Sequence, residues 1–271
     1  MILLSTFSGT VKVCLFLGTW MILWLPLAWF IARKIGWQPF NPLAGSKKLP
    51  LVLSLYLTVP LLVWLTTLVE GSSIVDYGLK LQLASLTSVI LGIGLGIVSL
   101  GIVFGLEGWF GLLIWQNSNL YSLSKLGFPL LGLGLWVGIT EELIFRGILL
   151  ELLQQDYSIE IAAIISSGIF ALLHLLWERQ ETIPQLPGLW IMGIVLVLAR
   201  MMDEGSLALA SGLHTGWIWG LSYIDAAELI SYTNTETAGA VGRKKTPLAR
   251  MSGILCLLAI GLVLWQLSPF L

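Results

Sequence analysis

The chain is short of charge. Lysine, arginine, aspartate and glutamate make up 11% of its 271 residues, against 57% hydrophobic ones, whereas soluble domains carry about 25% charged and about 45–50% apolar residues. So little polar surface excludes water as the solvent for most of the molecule. Fourteen basic and fifteen acidic residues leave a formal charge of −1, which excludes a global attraction to nucleic acid or to an acidic partner. Cys14 and Cys256 are the only cysteines, and both sit inside apolar runs. A disulfide framework is therefore excluded, and both are read as small apolar packing residues. No small-x-small cleavage site closes the first apolar run, which follows Lys12 and ends at Arg33-Lys34, so a spanning helix is expected there rather than a removable leader. Regular apolar/polar alternation is missing too, which excludes barrel strands, and no internal repeat stands out.

What the chain has instead is long apolar stretches, several reaching the roughly 20 residues that a bilayer-crossing helix needs. Runs between charged or Pro/Gly-rich breaks predict helices near 12–33, 51–69, 82–106, 127–155, 159–177, 188–201, 205–223 and 250–270. The expected fold class is all-α, a polytopic membrane bundle of about eight transmembrane helices. Basic residues in short connections mark the cytoplasmic face. Connections 33–50, 107–126, 178–187 and 224–250 hold ten of them, including Lys47, Lys48, Lys125, Arg179 and Arg243-Lys244-Lys245, whereas the opposite side holds only Lys12, Lys80 and Arg200. Both termini are therefore expected outside the cytoplasm.

Glycine pairs at four-residue spacing, Gly92/Gly96, Gly101/Gly105 and Gly134/Gly138, predict close helix packing in lipid. The run Gly92-Ile93-Gly94-Leu95-Gly96 is not a phosphate cradle, since no strand precedes it and no P-loop lysine follows. Trp109, Phe110, Trp115 and Tyr121 are candidate interfacial anchors. The polar 224–249 segment reads first as an orientation signal and second as a site for anionic lipid headgroups.

Against this background the intramembrane polar residues stand out. An ionisable group in hydrocarbon costs at least about 2.5–3.5 kcal/mol on insertion scales, so it must be paired or line a cavity. The fourth run contains Thr140-Glu141-Glu142-Leu143-Ile144-Phe145-Arg146-Gly147, the fifth Phe170 through His174, and the seventh His214. The two histidines are the only ones in the chain. Helical spacing puts Glu142 and Arg146 on one face as an ion pair, a sufficient structural explanation for both. Glu141 is turned about 100° away and needs another partner, for which the histidines are candidates. A transmembrane histidine on its own is as readily a helix-helix hydrogen-bonding group as a functional one. Taken together, a Glu/His/His set has the chemistry of hydrolysis: one group removes a proton from water while another steadies the oxyanion formed on a scissile carbonyl.

These residues resemble the CAAX-protease and bacteriocin-processing family of intramembrane proteases, which carries a Glu-Glu-x-x-x-Arg motif, a Phe-x-x-x-His motif and a later histidine. The resemblance covers about half the chain, from the fourth run to the seventh. It implies that Glu141 and His174 activate the attacking water, that His214 contributes to the oxyanion site or to a metal, and that Glu142 and Arg146 position the first motif. A zinc ion held by Glu141, His174 and His214 is one implied arrangement; a metal-free carboxylate mechanism is the other. The sequence departs from the family in one place, since the frequent Asn or Asp four residues after the last histidine is Ile218 here. Trp217 and Trp219 are candidate indole donors in its stead, although packing explains both. The Trp-rich ending is similar to what is expected of cyanobacterial or plastid members.

The expected function is that of an intramembrane endopeptidase cutting a membrane-associated or prenylated-type protein or a leader peptide, with the bilayer as its surroundings and no nucleic-acid partner. The expected organisation is helices one to three over 1–126, a catalytic helical core over 127–223, and a polar loop with a last helix over 224–271. The rival readings are a catalytically silent scaffold or immunity partner and a proton-coupled transporter. Transport is disfavoured because the polar residues occupy neighbouring late spans rather than matched repeats.

Overall fold

Long apolar runs without internal polar breaks satisfy their backbone only as helices in lipid, and helices are what they form. The computed structural model describes residues 6–37, 45–116, 120–176, 179–233 and 247–268. In chain order the helices are α1 (Gly9–Ile35), α2 (Gly45–Leu57), α3 (Val59–Glu70), α4 (Leu83–Trp109) and α5 (Leu120–Glu142). α5 runs on through a π-helical stretch, Leu143–Leu149, into an α turn at Leu150–Leu153. Then come α6 (Ile159–Leu173), ending in a 3-10 turn at His174–Leu176, short α7 (Arg179–Thr182), α8 (Leu186–Met202), α9 (Ala208–Ala226) and α10 (Met251–Leu267). Two short strands, β1 (Leu113–Trp115) and β2 (Ile230–Tyr232), pair antiparallel with Leu113 opposite Tyr232. No apolar/polar alternation in the sequence foretold this ribbon.

Every predicted run falls on a helix, though among the described residues not every one is both long and apolar enough to count as a span. Six helical stretches among the described residues are long and apolar enough to cross a membrane: Gly9–Ile35, Leu49–Glu70, Leu83–Trp109, Lys125–Leu153, Ile159–Leu176 and Arg179–Met202. α10 is apolar but shorter. Outward faces carry bare Ile22, Trp29 and Phe30 on α1, Ile90 and Leu91 on α4, and Leu255 and Val263 on α10, which suits hydrocarbon and not water. The protein is an integral, multi-pass membrane protein. Cys14 belongs to an exposed outer face rather than to the packed interior, while Cys256 is half-buried with its thiol 3.7 Å from Ser99 O.

The connections gather at two ends. At one, Lys12 pairs with Glu70 at 2.8 Å, Leu207 N donates to Gly78 O at 2.9 Å, and Lys80 Nζ reaches Glu204 O at 3.1 Å. At the other, the β1–β2 ribbon joins the segment after α4 to the segment after α9, and Arg250 pairs with Glu107 at 3.0 Å. Arg250 also lies 3.9 Å over the Tyr232 ring, whose phenol is pushed up to about 12, chiefly by burial and then by the Glu107 charge. Arg243, Lys244 and Lys245 and the side chains of Lys47, Lys48 and Tyr121 lie outside the described residues. Trp109, Phe110 and Trp115 are exposed at the ribbon end, where anchors at a membrane surface would sit. If connections alternate between faces, single cysteines at Lys80 and Arg179 in a background without Cys14 and Cys256 will label from opposite sides of sealed vesicles, with Arg179→Cys accessible from the cytoplasm. Labelling of both from one face would overturn the arrangement.

The N-terminus of α1 is held by a carboxylate from the turn between α5 and α6. Asp156 accepts from Gly9 N at 3.0 Å, Thr10 N at 2.7 Å and Thr10 Oγ1 at 2.7 Å, satisfying backbone donors that a helix start leaves open. These bonds, the Thr10 backbone donor foremost, hold the Asp156 carboxyl below the ordinary aspartate range. A depressed folded-state value contributes stability above the unfolded value of about 3.9, and that contribution is lost as pH falls through the lower folded value. Asp156→Asn should therefore lower Tm at pH 7 and shrink the fall in Tm on acidification below about pH 4. An unchanged acid limb in detergent melting curves would refute this role.

The packing that positions the later helices depends on glycine where backbones nearly touch. A Cβ on Gly92 would lie 2.5 Å from Leu209 O, one on Gly96 2.8 Å from Leu213 O, and one on Gly216 2.6 Å from Ile93 O. α4 and α9 thus meet along a seam of small residues, and Gly138 of α5 meets Thr215 of α9 equally closely, at 2.7 Å. Gly101 and Gly105, by contrast, have open space beside them, so that pair does not serve helix contact. His214 follows the seam residue Leu213 on α9, and its side chain meets Glu141 and Glu142 of α5 and the Phe170 ring of α6.

Candidate active site

Glu141 and Glu142 end the α-helical part of α5, and the π-helical stretch begins at the next residue. A π segment widens the helix and redirects groups locally, and such segments recur at functional sites. Outside donors fasten this one: Ser166 Oγ donates to Phe145 O at 2.6 Å, and an Arg200 guanidinium N–H donates to Arg146 O. Gly147 admits the Tyr77 backbone, whose carbonyl would lie 2.9 Å from an added Cβ. Arg200 is not the loop charge that the sequence suggested. It is buried near the end of α8, pairs with Glu151 at 2.5 Å and reaches Gly205 O at 3.2 Å. Its weight in the count of basic residues on that side is correspondingly removed.

The expected ion pair is present. Arg146 Nη1 lies 3.0 Å from Glu142 Oε1, and both side chains are wholly buried. The guanidinium also lies 4.3 Å from the Phe170 ring centroid, so an aromatic face takes part of its charge. The same Glu142 oxygen receives His214 Nδ1 at 2.8 Å. A carboxylate only accepts, so Nδ1 carries the proton and Glu142 fixes the His214 tautomer. His214 Nε2 then faces Glu141 Oε2 at 3.6 Å. Glu142 Oε2, Arg146 Nε and Arg146 Nη2 have no hydrogen-bond partner among the described residues.

The Phe-x-x-x-His spacing acquires a physical reason. Phe170 and His174 share a face of α6, their rings meet edge-on at 4.7 Å, and His174 Nδ1 lies 2.8 Å from Phe170 O. A carbonyl cannot donate, so Nδ1 holds the hydrogen and the Nε2 lone pair is left to accept. The Phe170 ring touches His214 as well, at 6.0 Å, and Phe145 at 5.2 Å. One buried phenylalanine thus orients both imidazoles and the arginine.

Two apolar cavities meet at His174. One, of about 180 Å³, lies among α1, α2, α5 and α6, where Trp20, Trp24, Tyr56, Glu141 and His174 border it. The other, of about 210 Å³, is bordered by His174, His214, Ser99, Ile218 and Cys256. Ile218 therefore faces the site and brings no polar atom to it. Neither tryptophan replaces one: Trp217 Nε1 donates to Ser99 Oγ at 2.9 Å and Trp219 Nε1 to Gly127 O at 3.0 Å.

All five residues singled out in the sequence come together, on α5, α6 and α9. Two partners escaped the sequence reading. Tyr56 donates its hydroxyl to Glu141 Oε1, and Arg200 braces the π segment. The signals were a tyrosine four residues ahead of Pro60 in an apolar run and an arginine between apolar residues. Among the described residues no three His, Cys, Asp or Glu side chains are grouped as a metal site.

A membrane-embedded helical bundle with paired carboxylates, two imidazoles and a cavity beside them defines the class of site. Residues 123–220 match the family described as Type II CAAX prenyl endopeptidase Rce1-like. That stretch includes Glu141, Glu142, Arg146, His174 and His214, and over it the resemblance read from the sequence is shown. No curated protein and no solved structure matches the chain.

Proposed function

We propose that the protein is an intramembrane endopeptidase that hydrolyses a peptide bond of a membrane-associated protein or leader peptide. The observation that carries this reading is the shared cavity of Glu141 and His174, with His214 Nε2 at 3.6 Å from the same carboxylate. Glu141 takes a proton from water as the oxygen attacks the scissile carbonyl carbon. His174, accepting through Nε2, aligns that water. His214, when protonated and braced by Glu142, donates to the tetrahedral oxyanion. Glu141 returns its proton to the departing amine as the C–N bond breaks, leaving a carboxylate and an amine. Apolar walls suit substrates that arrive from the bilayer. Zinc stays outside this sequence of steps because its three candidate ligands are not grouped as a metal site.

A silent scaffold is favoured by one observation, the apolar Ile218 at the cavity wall. Product mass spectrometry on candidate membrane peptides separates the two readings. Cleavage by the wild type that vanishes in folded Glu141→Gln supports the protease. Intact peptides in both samples support the scaffold.

A further inference from the structure

Among the residues bordering the Glu141 cavity, Tyr56 stands apart. It lies near the end of α2, buried at 6% exposure, and its hydroxyl donates to Glu141 Oε1. Its position is built by a break in the second apolar run. Pro60 has no N–H, so it cannot return the helical bond to Tyr56 O, and α2 stops at Leu57. The break is secured by Thr58 Oγ1 donating to Leu55 O at 2.7 Å, and by Trp20 Nε1 reaching Thr58 Oγ1 at 3.1 Å. These contacts fix the backbone on both sides of Tyr56 without touching Glu141. A phenol placed in this way holds one carboxylate oxygen still, and the other, Oε2, is directed to the His214 side.

We infer that Tyr56 is a positioning residue of the hydrolytic site: its hydroxyl anchors Glu141 Oε1 so that Oε2 meets the attacking water in a fixed orientation. The inference rests on the proposed protease reading. A carboxylate free to rotate about its last torsion presents the wrong oxygen for part of the time, which lowers the rate of the chemical step and not the affinity for a peptide seated along the apolar walls. Tyr56 thereby links the early helices, which carry none of the sequence motifs, to the motif-bearing later ones.

The test is Tyr56→Phe in the full chain, which keeps the ring and removes only the hydroxyl. With a peptide that the wild type cleaves, kcat per folded molecule should fall about 10- to 100-fold, the effect of one hydrogen bond to a charged group. KM should stay within about twofold, as expected for an interaction made at the chemical step. Thr66→Ala is the control: it removes a hydroxyl that donates to Leu62 O at 2.9 Å on the neighbouring α3, borders neither cavity, and should keep the wild-type kcat per folded molecule. Wild-type kcat in Tyr56→Phe, a matching loss in Thr66→Ala, or a Tyr56→Phe protein that does not fold would each overturn the inference. Wild-type protein that cleaves no peptide would instead defeat the protease reading, so the two failures are distinguishable.

Discussion

Arg146→Ala should abolish most of the folded protein in detergent, because removing one partner of a buried pair typically costs about 3–5 kcal/mol. The guanidinium has no solvent exposure, and its loss leaves Glu142 with a single donor, His214 Nδ1 at 2.8 Å, in a low-dielectric interior. The Phe170 ring loses the cation that lies 4.3 Å from its centroid. Arg146→Lys should recover little, since a point-like ammonium lacks the planar fork and the stacking face. Glu142→Gln combined with Arg146→Gln removes both charges and should regain a substantial part of the stability lost in Arg146→Ala. It should not regain activity, because the carboxylate that holds His214 is gone. Melting temperatures and monodisperse yield check the first half, and peptide cleavage checks the second. Wild-type stability in Arg146→Ala would show that the pair contributes nothing to the fold.

Glu141→Gln should reduce turnover by about 100- to 10,000-fold, the usual contribution of a general base. The amide is nearly isosteric with the carboxylate and still accepts from Tyr56 through its oxygen, so folding should be kept. It cannot take a proton from water at neutral pH. His174→Gln should act on the same step, since it removes the Nε2 lone pair that borders the Glu141 cavity. The combined variant should lose less than the product of the separate losses, because groups that act on one water do not contribute independently. Single-turnover cleavage followed by mass spectrometry measures each rate. A folded Glu141→Gln protein at wild-type rate would remove Glu141 from the chemistry.

Much of this molecule was legible in its sequence, for reasons that belong to the solvent. In lipid a backbone must bond within its own segment, so apolar runs without polar breaks could only be helices. Charges in such runs had to be matched, so Glu142 and Arg146, four residues apart, had to pair. The spacing from Phe170 to His174 put both on one helix face, and the rarity of ionisable groups in the spans marked Glu141 and His214.

Local spacing says nothing of what lies across a bundle. The tertiary structure alone gave Glu142 a second donor in His214, aimed Tyr56 at Glu141, and placed Phe170 against both imidazoles. It alone showed that the helix widens after Glu142 and that Arg200, from α8, bonds the widened turn. It also chose which glycines matter: Gly92 and Gly96 carry a helix contact, whereas Gly101 and Gly105 in the same run face open space. The physical reason is that helix periodicity fixes which residues share a face, while rotation, depth and crossing of helices depend on close backbone approach and on partners remote in sequence.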